Sequence, residues 1–385
     1  MGRELASRLL MVVVSALPAY AYFYNVGSIG FWLPLYAREA GWGYTEIALL
    51  ATIYFLAVIV ATPAAGLVSD ATRRPGLVLS AGMAVVAATS FLMPSFSDPA
   101  VVLALRGLQG AGLAVGLPIA LGSLSLLEGV RRGVGITALF SGLGMASAAA
   151  LSGALVEWVG FPPLFYASGL VALASTLAPL VWPPPPPPEG LGVLEALRRV
   201  PREVAVAMAG IAVRNFFASG VFSVIAIIFN KIVGVSYLAT GLALAVNPAV
   251  QGAASVALSR VLRGFAVIAY SAGLSGTAIP FAIYLMADGL PDLVAAQALL
   301  GVFYASTVVS GNIIIVSLSP PEIRYTASSF YGTAFNLGWV FGTLVAGPVM
   351  DAGGVRLWLS IAIAGVAASG LLPLALLRSP KARRI

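Results

Sequence analysis

The sequence predicts an all-α integral membrane protein of twelve transmembrane helices, arranged as two pseudo-symmetric six-helix bundles. Three observations carry this. The chain breaks into about twelve apolar stretches near the length that crosses ~30 Å of hydrocarbon as a helix. Its 385 residues are 60% hydrophobic and only 9% charged, against roughly 25% charge in an ordinary soluble domain. The second half also repeats landmarks of the first at a constant shift of 194 residues, the mark of duplicated architecture.

The first bundle is assigned to residues 1–182, with apolar stretches at 9–36, 45–68, 77–94, 100–127, 134–158 and 164–182. The second, residues 203–385, carries them at 204–229, 238–262, 265–287, 293–318, 326–350 and 357–377. Their continuous Leu, Val, Ala and Gly runs lack the apolar–polar alternation of a transmembrane barrel, so helices are the reading. Residues 1–21 carry Arg3 and Arg8 before an apolar run and end in Ala19-Tyr20-Ala21, like a signal peptide. The run continues unbroken to Tyr36, however, which favours a retained first helix.

Orientation follows from Lys and Arg. With alternate loops sharing a side, one side holds 16 of the 21, and the other holds only Arg38, Lys231 and Arg356. Arg106 and Arg214 fall inside apolar stretches and complete the count. Both termini are therefore expected in the cytoplasm, in a multi-pass cell membrane protein. The net charge of +7 then reflects topology and anionic lipid rather than nucleic acid, for which no binding signal is present.

The chain has no Cys and no His, which removes disulfides, thiolate nucleophiles, imidazole bases and the commonest zinc ligands. The fourteen acidic residues fall in predicted loops or helix ends and form no recognisable catalytic pair. An enzyme is disfavoured, and neither a cofactor nor a metal is expected.

Residues 183–202 separate the bundles. Pro183 to Pro188 is a six-proline run that cannot donate within a helix and reads as stiff polyproline. Leu191, Leu194, Ala196 and Leu197 then alternate with Glu195, Arg198, Arg199 and Arg202. Either a short amphipathic helix on the cytoplasmic interface or a solvated linker fits that pattern.

Under the 194-residue shift Glu128 maps to Glu322, Gly144 to Gly338, Gly153 to Gly347, Glu157 to Asp351 and Gly160 to Gly354. Two such halves packed face to face would create a central cavity, where alternating access by rocking could operate.

Three motifs point the same way. Gly66-Leu67-Val68-Ser69-Asp70-Ala71-Thr72-Arg73-Arg74-Pro75-Gly76 resembles the loop signature of the major facilitator superfamily (MFS), with its usual later Gly displaced. There Gly66 is expected to permit close helix approach, Asp70 to sit at a helix terminus near basic groups, and Arg73 and Arg74 to hold the loop in the cytoplasm. Arg106-Gly107-Leu108-Gln109-Gly110 resembles that family's Arg-x-x-Gln-Gly motif, with Arg106 and Gln109 on one face. Gly144, Ala148, Ala149, Ser152 and Gly153 keep the spacing of its exchanger-associated motif but place Ala149 where the proline belongs, so the antiport implication is not carried over.

That resemblance implies the MFS fold and a cavity lined by the first, fourth, seventh and tenth helices. Arg214 lies about ten residues into the seventh stretch, ~15 Å deep by helical rise, beside Asn215. Arg106 lies ~10 Å deep; it either faces the cavity or snorkels to headgroups. Asn25, Ser28, Trp32 and Tyr36 share one face of the first helix, and Tyr304 and Thr307 pair in the tenth. Asn336 pairs with Trp339 in the eleventh. The candidate substrate-binding residues are Asn25, Trp32, Arg106, Gln109, Arg214, Asn215, Tyr304 and Asn336; such pairs also serve as interhelical glue.

Two arginines within the membrane and no acid near its middle disfavour a carboxylate-driven proton symporter or an exchanger of cationic drugs. Guanidinium without a counter-ion points to an anionic solute. The expected function is alternating-access transport of a small organic anion or polar metabolite by a monomer in contact with membrane lipids. Export of amphiphilic, drug-like compounds through an aromatic cavity is the alternative. A non-transporting lipid scramblase or membrane sensor is the reading from another class.

Overall fold

The computed structural model describes residues 2–128, 130–181, 198–262, 264–320 and 323–379. Among them every regular element is helical. The polyproline run and the segment 191–197 lie outside the described residues, as do Glu322 and the side chain of Asp70.

Helix α1, 2–39, runs from Gly2–Asn25 through a π-helical turn at Val26–Gly30 into Phe31–Glu39. The wider turn shifts the register of everything after it, so the face Asn25–Ser28–Trp32–Tyr36 is not the straight stripe that a 3.6-residue period predicts. Helices α2 (Tyr44–Thr72) and α3 (Pro75–Leu92) follow. Pro75 opens α3 at a position where its missing N–H costs nothing. Helix α4 is formed by Pro99–Leu113 and Gly116–Glu128, and Asp98 caps its start by accepting from the Ala100 and Val101 amides at 2.8 and 3.3 Å. Helices α5 (Val130–Val159) and α6 (Pro162–Val181) complete the first half.

Helix α7, 202–233, contains Arg202–Ser223 and Ile225–Ile227 and ends in a second π-helical turn, Ile228–Val233. Helix α8 is Tyr237–Val261, α9 spans 266–286 with a join at Thr277, and α10 is Leu290–Leu318. A long helical stretch, Arg324–Ser369, is broken at Gly354, whose φ of 76° lies in the left-handed region. That break divides it into α11, 324–353, and α12, which continues through Leu371–Leu374 to Arg378. Ten stretches among the described residues are long and apolar enough to cross a membrane; the last, Ala327–Arg378, at 52 residues contains both α11 and α12.

The contacts resolve two compact units. The first comprises Met1–Gly41, Ile53–Pro188 and Ser236–Ala245; the second comprises Trp42–Thr52, Glu189–Val235 and Val246–Ile385. The first unit's apolar core gathers Ala21, Tyr54, Val58, Leu79, Met83, Val86 and Leu113. The second unit's core gathers Val204, Ala207, Ile211, Val267, Tyr270, Leu274 and Ile314.

Small residues set the closest approaches. A Cβ at Gly27 would stand 2.5 Å from the Met145 carbonyl, and one at Gly338 would stand 2.5 Å from that of Ala212. Helices α1 and α5 therefore touch backbone to backbone in one unit, and α7 and α11 do so in the other. Gly66 makes no such approach. It is exposed, and a Cβ there would meet none of the described residues within 4 Å.

Candidate functional site

The loop motif forms the turn between α2 and α3. Gly66 and Asp70 lie in the last turns of α2. Arg73 takes φ 53°, the left-handed region, and Arg74 is the residue before Pro75, with no side-chain cap. Thr72 steadies the turn, donating to the Val68 carbonyl at 2.7 Å and accepting from the Arg74 amide at 3.3 Å.

In the first unit α1 and α4 bring Asn25, Arg106 and Gln109 together. Asn25 and Gln109 are buried, and Arg106 is 4% exposed, so its position is internal and snorkelling to headgroups is not what it does here. Arg106 Nη1 donates to Asn25 Oδ1 at 3.1 Å and to Gln109 Oε1, and the guanidinium carbon lies 4.2 Å from the centroid of the Tyr54 ring. Gln109 passes the network to Ser90 Oγ at 2.9 Å, and Asn25 Nδ2 reaches Ser168 Oγ at 3.1 Å. Five helices are thereby joined through one guanidinium. Trp32, fully buried, belongs to a different contact: its ring tilts against Tyr237 at 6.4 Å between centroids, and its Nε1 has no hydrogen-bond partner.

The second unit holds Arg214 differently. It is 1% exposed. Nη1 donates to Asn215 Oδ1 at 2.8 Å and Nη2 to Thr277 Oγ1 at 3.3 Å, while Nε has no hydrogen-bond partner among the described residues. Its guanidinium carbon lies 5.3 Å from the Tyr304 ring centroid and 5.5 Å from that of Phe222. Asn215 is oriented in turn by donating from Nδ2 to the Phe335 carbonyl at 3.2 Å. Asn336, next in sequence to Phe335, is half-buried and takes no part in the Arg214 hydrogen bonds. Among the described residues no carboxylate pairs with Arg106 or Arg214.

Tyr54, Ser90, Ser168, Phe222 and Thr277 were not candidates from sequence, although all touch the arginines or their partners. Thr277 carried a usable signal, a hydroxyl in mid-stretch directly after Gly276, whereas Tyr54 and Phe222 resemble any aromatic in an apolar run.

Helices of bilayer length, with a buried guanidinium in each unit, define a multi-pass membrane protein. The chain belongs to the Major Facilitator Superfamily, whose family model matches residues 16–222 and 207–385. An uncharacterized MFS-type transporter of Mycobacterium tuberculosis, in strains CDC 1551 / Oshkosh and H37Rv, is 33% identical over 148 residues. That match spans 37% of this chain and 35% of the relative's length. Among solved structures, a variant of the nucleoside transporter NupG superposes with TM-score 0.80 at 13% identity, covering 96% of this chain and 98% of that one. A bacterial homologue of the human lysosomal transporter Spinster, inward-facing and occupied, superposes with TM-score 0.77 at 12% identity, covering 99% and 98%.

Proposed function

We propose that the protein is a secondary transporter whose cargo is a small organic anion, bound through Arg214. One observation carries the reading: a fully buried guanidinium with an unoccupied Nε donor and no pairing carboxylate among the described residues. Desolvating that charge is costly unless an anion shares the site for part of the cycle. Asn215 and Thr277 hold one end of the fork, and Tyr304 and Phe222 lie within cation–π distance. A carboxylate arriving at Nε would meet a donor already oriented, with apolar and aromatic surface for the rest of the solute. Asn25, Trp32, Gln109, Arg106 and Asn336 remain proposed members of the binding set, with Arg106 committed mainly to protein partners.

Membership of the superfamily supports alternating access as the mode of movement. Uptake into proteoliposomes of a panel of radiolabelled mono- and dicarboxylates, with neutral nucleosides and polyols as comparators, tests the reading. Saturable uptake of at least one carboxylate that Arg214→Gln abolishes is expected. Uptake confined to neutral solutes, or anion uptake indifferent to Arg214→Gln, overturns it.

The stacked pair Phe222 and Trp339, 5.8 Å apart at 22°, favours a second reading, movement of amphiphilic compounds on an aromatic surface. Competition by neutral lipophiles, without competition by organic anions, would select it.

A further inference from the structure

The buried amide side chains of this chain are in two different conditions. Asn25 and Gln109 use both ends: each oxygen accepts from Arg106, and their nitrogens donate to Ser168 and Ser90. Asn215 likewise accepts from Arg214 and donates to the Phe335 carbonyl. Asn247 on α8 and Gln297 on α10 differ. Gln297 is 1% exposed, and neither its Oε1 nor Asn247 Oδ1 has a hydrogen-bond partner among the described residues. A buried acceptor in that condition forfeits the hydrogen bonds that water gave it, and two on touching helices call for a reason.

Packing brings the two acceptors to one face. A Cβ at Gly301 would stand 2.8 Å from the Asn247 carbonyl, 2.9 Å from Val250 Cβ and 3.1 Å from the Gln251 amide nitrogen, so α8 and α10 touch backbone to backbone there. Gln297 precedes Gly301 by one turn and Tyr304 follows it by one, so the three share a face of α10. Tyr304 is the ring beside Arg214, 5.3 Å from the guanidinium carbon. Gln297 therefore stands ~10 Å along the helix axis from the Tyr304 turn, on the face that meets Asn247. Arg214, Asn247, Gln297 and Tyr304 all belong to the second unit.

We infer that Asn247 and Gln297 form the neutral end of the cargo site and accept hydrogen bonds from hydroxyl groups of the solute, which makes the cargo a hydroxylated carboxylate of the sugar-acid kind. The inference rests on the anion reading for its charged end. Two amide oxygens without partners take donors from a ligand, and a hydroxyl, an ammonium or a metal cation would serve. The local charge selects among them. Helices α8 and α9 contain no acid, and those of α7 and α10 are Glu203 and Asp292, each in its helix's first turn. A second cation near Arg214 would be uncompensated there, whereas a hydroxyl adds no charge. A deoxy analogue would leave both oxygens unpaired in the complex, so the same pair that rewards hydroxyls also rejects solutes that lack them.

Gluconate, hexanoate and sorbitol test the two ends separately, because they share a six-carbon chain and differ in carboxylate and hydroxyls. Each is titrated against the full chain in lipid nanodiscs, with the rise in melting temperature as the measure of binding. Gluconate is expected to bind roughly tenfold or more tightly than hexanoate, and Gln297→Met or Asn247→Leu to cut that preference about tenfold, the scale of one hydrogen bond to a buried acceptor. Without ligand, Gln297→Met should melt at the same temperature as the native protein or higher, since it removes an acceptor that no described residue satisfies. Hexanoate binding as tightly as gluconate, or a preference that neither substitution changes, overturns the inference and leaves the anion reading standing. Sorbitol bound while gluconate is refused supports the acceptors and overturns the anion reading; failure of all three overturns both. A lower melting temperature for empty Gln297→Met would mark a structural amide, and Na+ raising the melting temperature of the native protein but not of Gln297→Met would mark a cation site. Either result overturns the inference.

Discussion

Arg106 donates to Asn25 across 81 residues of sequence, whereas Arg214 donates to Asn215, its immediate neighbour. The first bond ties α4 to α1 and, through Asn25 and Gln109, to α6 and α3. The second stays on one helix; beyond it the guanidinium meets the Thr277 hydroxyl and the Tyr304 and Phe222 rings, and Nε has no hydrogen-bond partner among the described residues. Two buried arginines of the same chain thus differ in commitment: Arg106 is held by side chains of two helices, whereas Arg214 keeps a donor that no described residue takes.

Arg214→Gln should therefore damage transport more than stability. Losing a charge-assisted contact to a bound anion predicts a fall in kcat/KM of roughly 10- to 100-fold. Asn215→Asp gives the complementary result. It supplies a carboxylate at the position that Nη1 already contacts at 2.8 Å, fills the anion's role, and should suppress anion uptake while leaving the melting temperature unchanged or higher. Proteoliposome uptake and thermal unfolding of the same preparations check both.

Arg106→Leu should show the reverse balance. It strands Asn25 Oδ1 and Gln109 Oε1, both on buried side chains, at a cost of about 1–3 kcal/mol for an orphaned buried acceptor. Adding Asn25→Ala to Arg106→Leu should cost less than the sum of the two single changes, because both remove the same contact. Thermal melts of the four variants in one detergent measure that coupling.

Segmentation and the two arginines were legible because each is written locally, in bilayer-length hydropathy and in charge within apolar runs. The partners of those arginines were not. Tyr54 lies in an apolar run no different from others, and only the crossing of α4 with α2, where a Cβ on Gly110 would strike the Tyr54 carbonyl, brings its ring to Arg106. The π-helical turn at Val26–Gly30 has no residue signature, so the polar face drawn through Asn25 and Trp32 joined residues that serve different contacts.

Arg73 stores backbone strain at φ 53°, where a side chain with a Cβ costs about 1–2 kcal/mol and Asn or Gly costs less. Arg73→Asn should raise the melting temperature while Arg74 keeps a basic residue in the loop. A lowered melting temperature would mean that the Arg73 side chain contributes more than the turn loses.

Glycines on one helix separate packing from propensity. On α11 a Cβ at Gly338 would stand 2.5 Å from the Ala212 carbonyl and 2.7 Å from Asn215 Cβ, whereas one at Gly332 would meet nothing within 4 Å. Backbone cannot yield as a flexible side chain can, so Gly338→Ala must push α11 from α7, at about 1–3 kcal/mol. Gly332→Ala adds a methyl to open space and favours the helix, so its melting temperature should be unchanged or higher. Because Gly338 also abuts Asn215, which orients Arg214, Gly338→Ala should weaken anion uptake beyond what its stability loss explains. Equal uptake per folded molecule in both variants would show that the α7–α11 spacing does not set the guanidinium's position.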